Sequence, residues 1–322
     1  MGLLRVILAL AVVATHASPI LPFDIISGSL AVEAFYIISG FYMALILNEK
    51  YSHSYWLFIT NRILRIYPLY LLVAGLTVIF YIIVFLAHPN AHQIFAPFAE
   101  YASQGGWIFL ILLFSNIFIL GLDVLIFLKG SDIAVCFLVP QAWTLSLEMM
   151  FYFIAPFLVR LKMIHLAFLL AISLLLRLFL VNRGFDQDPW RYYFFPTELA
   201  FFILGIFSYK IYQQIQNRHI PFMINMSIFI LVVAATIFLA VLKFSILAKS
   251  IVYFLLFSGG LPFVFYLTRH HRFDRWIGEF SYTIYLTHVL VIMVLDGFLK
   301  VLKSGDPFYS WWVILGSFSL SF

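Results

Sequence analysis

Residues 2–18 read GLLRVILALAVVATHAS, a largely apolar run in which Arg5 and His16 stand eleven residues apart. Eleven steps of about 100° make three full turns plus roughly 20°, so in a helix both side chains project from nearly one face. At a rise of about 1.5 Å per residue they lie roughly 16 Å apart along the axis. With Arg5 at a membrane surface, His16 falls near the middle of a hydrocarbon core about 30 Å thick. A cation at the rim and a titratable base at the bottom of one face outline a slot for a long anionic cofactor whose reactive end dips into the bilayer. Two plainer readings compete. A short basic start, an apolar run and small residues at Ala17 and Ser18 also fit a secretory signal peptide, although the spans that follow favour a retained first helix. The other is a neutral histidine packed among helices, with Arg5 as an interfacial anchor. Against it, an ionisable group at mid-membrane costs about 2.5–3.5 kcal/mol, so such groups mark sites.

The rest of the chain places this run in a membrane. Of 322 residues, 64% are apolar and 10% charged, and the mean hydropathy is +1.06. Such a balance describes a polytopic membrane protein. Apolar runs near 3–17, 28–48, 63–87, 107–128, 139–159, 163–181, 197–215, 221–242, 246–268 and 277–299 predict an all-α bundle of about ten or eleven transmembrane helices forming one domain over 1–322. The eleventh run starts near Phe308, and its fifteen residues to Phe322 reach only about 22 Å, so the last helix is expected to be incomplete. The lone Cys136 excludes an intrachain disulfide framework and a cysteine-cluster metal site, and no metal is expected. No HExxH, P-loop, dinucleotide fingerprint or internal repeat is present. A formal charge of +5 suits lipid head groups or a phosphorylated small molecule better than nucleic acid.

Several polar residues interrupt the runs. In the second, Glu33, Tyr36 and Gly40 share a face, with Ser39 beside them; a carboxylate in a span needs a partner, and His16 is a candidate. Arg62 and Arg65 share a face as the third run begins. They serve as positive-inside anchors or as a bidentate grip on phosphate. His88, His92 and Glu100 follow in a loop, with a weak metal-binding signal. Thr144, Glu148 and Tyr152 recur every four residues and make a hydrophilic stripe that should face the bundle interior. Glu198, beside Pro196, reads as structural. Ser281, Tyr282, Tyr285 and His288 form a second polar face ending in histidine.

Taken in order, these motifs resemble the acyltransferase-3 family of polytopic membrane acyltransferases over nearly the whole chain. The carriers are Arg5 with His16 as Arg-x10-His, Ser39-Gly40-Phe41, Arg62-x-x-Arg65 with Tyr67-Pro68, Trp143-Thr144-Leu145 with Glu148 and Phe151-Tyr152, and Ser281-Tyr282-x-x-Tyr285-x-x-His288. The resemblance implies transfer of an acyl group, usually acetyl, from cytoplasmic acyl-coenzyme A to a hydroxyl of a cell-surface carbohydrate or related molecule. It implies that His16 is catalytic and that Arg62 and Arg65 help hold coenzyme A. Glu33 stands where many members carry aspartate, which moves the carboxylate by one methylene. No extracytoplasmic esterase-like domain follows, so a stand-alone transferase is expected.

The expected site then has His16 as general base, titrating near 6.5 when unperturbed, with Glu33 holding its tautomer and Glu148 completing the catalytic group. Arg5, Arg62 and Arg65 line the donor site with Tyr36, Ser39, Tyr285 and His288; Tyr36, Ser39 and Tyr285 are candidates to stabilise the thioester oxyanion. The N-terminus is expected on the cytoplasmic side, because the loop after His16 carries Asp24 and no Lys or Arg. Ten simple crossings then put Arg160, Lys162, Lys210, Arg218, Arg269, Arg272 and Arg275 outside, against the positive-inside bias, unless one extra segment lies between residues 88 and 140. A secondary transporter or lipid-linked sugar flippase is the rival from another class, with buried carboxylates and histidines as proton relays. A scaffold subunit of an export complex would leave Arg5 and His16 without a task.

Overall fold

The computed structural model describes residues 1–17, 23, 25–51, 54–87, 96–103, 105–185, 188–190, 192–298 and 309–320. The described chain is an all-α bundle: α1 Gly2–His16, α2 Gly28–Glu49, α3 Tyr55–Ala87, α4 Ala96–Ser103, α5 Gly106–Phe118, α6 Leu122–Lys129, α7 Trp143–Leu158, α8 Met163–Asn182, α9 Phe195–Ile215, α10 Phe222–Phe238, α11 Ile246–Thr268, α12 Arg272–Phe298 and α13 Tyr309–Ser319. Six helices among the described residues are long and apolar enough to cross a membrane: α2, α3, α8, α10 with the turn after it, α11 and α12; α1 and α5 are shorter apolar helices. Large apolar side chains such as Ile164, Phe168 and Leu175 of α8 stand exposed on the outside, where only hydrocarbon makes exposure favourable.

The interior is built on close helix crossings. α2 packs most extensively on α9, and a Cβ added at Gly40 would overlap the carbonyl of Phe202, while one at Gly205 would overlap that of Ile37. Small residues at such a crossing let backbones meet where lipid offers no hydrophobic drive for association. α1 crosses α12 in the same way at Gly2 and Gly278. Asp274 of α12 caps α1, its carboxylate accepting from the backbone N–H of Gly2 at 2.8 Å and of Leu3 at 3.0 Å. A carboxylate there satisfies orphan donors at the positive end of the helix dipole.

The run 107–128 is not one helix, as its hydropathy suggests, but two, α5 and α6. The break falls at Ile119 and Gly121, which adopt left-handed φ of 67° and 87°. It is pinned from α7, where the Ser146 hydroxyl accepts from Gly121 N–H at 3.0 Å and donates to buried Asp123 at 2.6 Å. Thirteen residues in α5 reach about 20 Å and eight in α6 about 12 Å, short of the core thickness.

The basic residues that simple counting places opposite Arg5 lie at its own end of the bundle. Lys210 Nζ reaches the carbonyl of Val159 beside Arg160 (3.5 Å), Tyr266 donates to the carbonyl of Arg218 (3.2 Å), and Arg269 donates to Tyr212. Arg269 and Arg275 line the same cavity as Met1 and Arg5. The break in 107–128 falls within the 88–140 stretch, where an extra segment reconciles these residues with the positive-inside bias.

Candidate active site

A cavity of about 660 Å³ opens at the Arg5 end, walled by α1, α2, α3, α7, α11 and α12. Arg5, Arg62, Arg65, Arg269 and Arg275 all line it. Among the described residues none of the five takes part in a salt bridge. The i, i+3 spacing of Arg62 and Arg65 brings both to this wall, at the start of the long α3. Glu148, a carboxylate of the α7 stripe, is held by protein hydroxyls: Ser39 donates to it at 2.6 Å and Tyr152 at 2.7 Å. Thr144 completes the stripe and shares a hydrogen bond of 2.7 Å with the Tyr285 hydroxyl. The stripe therefore faces the interior, as its period predicts. Tyr36 stacks on Phe202 at 4.6 Å and lines the cavity with its buried hydroxyl making no hydrogen bond among the described residues.

Neither histidine lines this cavity. Both lie past its inner wall, reached through rings: Phe35 meets Tyr285 edge-on at 5.9 Å, Tyr285 lies 6.0 Å from His288, and His288 lies 5.2 Å from His16. His288 is fully buried, and its Nδ1 is 2.7 Å from the Tyr285 carbonyl. A carbonyl only accepts, so Nδ1 carries the hydrogen and Nε2 keeps its lone pair, buried and without a hydrogen bond among the described residues. His16 is exposed at the last residue of α1, where the neighbouring Thr15 hydroxyl accepts from Gly28 N–H at 2.9 Å and brings α2 alongside. The slot is thus not one open channel from Arg5 to His16; Tyr285 and His288 stand between.

The sequence offers Glu33 to His16; the structure engages it with Arg177 of α8, which also pairs with the fully buried Glu198 of α9 at 3.0 Å. A permanent guanidinium compensates two buried carboxylates better than an imidazole that is largely neutral at pH 7. The triad joins α2, α8 and α9, which accords with the structural reading of Glu198. Ser39 is also committed, its hydrogen given to Glu148. Of the residues the sequence reading passed over, Arg177 carried a signal, being a charge inside an apolar run. Arg269 and Arg275 carried none of that kind, since basic residues between spans are ordinary anchors. His88 and His92 lie outside the described residues, Glu100 sits exposed on α4, and among the described residues no three His, Cys, Asp or Glu cluster as a metal site.

A family model described as an acyltransferase domain matches residues 1–322. The chain is also similar to an uncharacterized protein of Aquifex aeolicus (strain VF5), 26% identical over 161 residues that make up 49% of this chain and 72% of that protein. No solved structure matches.

Proposed function

The chain belongs to the acyltransferase-3 family and is a membrane acyltransferase, and from that premise we propose that it moves an acyl group, acetyl above all, from acyl-coenzyme A to a hydroxyl of a cell-envelope or exported carbohydrate. The observation that carries this reading is the set of five arginines around one cavity, none with a salt-bridge partner among the described residues, which suits a donor bearing several phosphates. Arginine binds phosphate bidentately and stays charged, so the polar head of the donor stops there while its thioester arm extends inward past Tyr36 and reaches His16 once Tyr285 and His288 turn aside. At the inner end the acceptor oxygen attacks the thioester carbonyl carbon, the carbon–sulfur bond breaks, and coenzyme A leaves as the thiolate. His16 takes the hydroxyl proton during attack and returns it to the thiolate. His288 supplies a buried lone pair beside it, and Tyr36 offers an uncommitted hydroxyl to the oxyanion, whereas Ser39 does not. Glu148 holds Ser39 and Tyr152 in the cavity wall.

The basic end, with Arg5, faces the cytoplasm in this scheme, in keeping with the bias of Lys and Arg toward that side, so donor and acceptor approach from opposite faces of the bilayer. The test is incubation of purified protein with radiolabelled acetyl-coenzyme A and a panel of cell-envelope glycans. Label passing to a glycan hydroxyl is expected. Movement of glycan across vesicles with no acyl transfer would replace this reading with transport.

A further inference from the structure

The five arginines reach one cavity from two places in the fold. Arg5, Arg62 and Arg65 stand with Glu148 and Tyr152, on α1 and the first turns of α3. Arg269 and Arg275 come from the junction of α11 and α12. Arg269 donates to the Tyr212 hydroxyl, lies over the Tyr266 ring at 5.0 Å and the Tyr212 ring at 5.9 Å, and keeps its buried Nε without a hydrogen bond among the described residues. Arg275 donates to the carbonyl of Arg269 at 3.3 Å. Of the acidic groups near them, Asp274 is spent on the start of α1, and Glu279 lines the same cavity without an ion pair among the described residues. Two rings and a hydroxyl hold Arg269 in place, and among the described residues it pairs with no carboxylate, so it is preorganised for an anion from outside the chain.

A donor with a single phosphate group would need arginines from only one of these places. Coenzyme A has two anionic centres, a diphosphate next to the pantetheine arm and a phosphate monoester on the 3′ oxygen of the ribose. We infer that Arg269 and Arg275 bind the ribose 3′-phosphate of the donor, with Arg5, Arg62 and Arg65 on the diphosphate. This rests on the acyl-coenzyme A reading and narrows it: the donor is the free coenzyme A thioester, because a phosphopantetheine arm on a carrier protein has one phosphate and leaves Arg269 and Arg275 empty.

The test is displacement of radiolabelled acetyl-coenzyme A from the detergent-purified full chain, by coenzyme A and by 3′-dephospho-coenzyme A, which requires no acceptor. The wild type should prefer coenzyme A by roughly 10- to 100-fold, the worth of hydrogen bonds to a charged group. Arg275→Gln and Arg269→Gln should each weaken coenzyme A and shrink that preference, while Arg62→Gln should weaken both competitors alike. Arg275 is exposed, so its variant decides the matter even if loss of the Tyr212 contact unfolds Arg269→Gln. A wild type that binds acetyl-coenzyme A without preferring the 3′-phosphate, or a preference that survives Arg275→Gln, overturns the inference and leaves the acyl-coenzyme A reading standing. No binding of acetyl-coenzyme A at all overturns both.

Discussion

Arg177 and the arginines of the cavity are one kind of side chain kept in opposite ways. Arg177 is enclosed between Glu33 and Glu198 and lies over the Phe201 ring at 5.1 Å, so it ties α2, α8 and α9 together. The other five surround a cavity of about 660 Å³ with no ion pair among the described residues. A guanidinium whose carboxylates come from the protein is a clamp. One that lines a cavity without an ion pair is a receptor, ready for an incoming anion.

Breaking the clamp should have the largest effect. Arg177→Met leaves two carboxylates buried side by side, and removing one partner of a buried ion pair costs about 3–5 kcal/mol. Thermal unfolding in detergent should register that loss, and a variant as stable as the wild type would end the distinction. His16→Ala touches neither set of arginines. Turnover should fall roughly 10²–10⁴-fold, the usual worth of a general base, while donor binding and unfolding stay near wild type; retained turnover sinks the histidine mechanism. Arg62→Lys and Arg65→Lys sharpen the receptor side, keeping charge but losing the planar fork. Apparent affinity for acyl-coenzyme A should drop about tenfold, with turnover at saturation and stability little changed. If both kinetic parameters fall together and expression is poor, those arginines are anchors instead. The smallest effect is expected from Glu33→Gln, which keeps an acceptor for Arg177. Stability should move by about 1 kcal/mol or less. A loss of turnover as large as that of His16→Ala would return Glu33 to the base.

Two residue periods were legible in the sequence. Arg62 with Arg65, and Thr144 with Glu148 and Tyr152, meet the cavity as their spacing predicts. The break at Ile119 was not legible, since both flanks are apolar and hydropathy is blind to a left-handed residue pinned by Ser146 and Asp123 from elsewhere. Simple counting of crossings places Arg269 and Arg275 opposite Arg5, although both line its cavity.

The sequence by itself determined the class, the family motifs and the direction of the stripe Thr144, Glu148 and Tyr152, because these depend on composition and on the 3.6-residue period of a single helix. Only the tertiary structure decided which charges meet. Glu33 could have served His16 or Arg177 on spacing alone, and α2 crosses α9 so closely at Gly40 and Gly205 that Glu33 is brought with Glu198 onto Arg177. Helix crossing sets partnership between distant residues, and in lipid an ionised group pairs with the opposite charge the crossing brings to it.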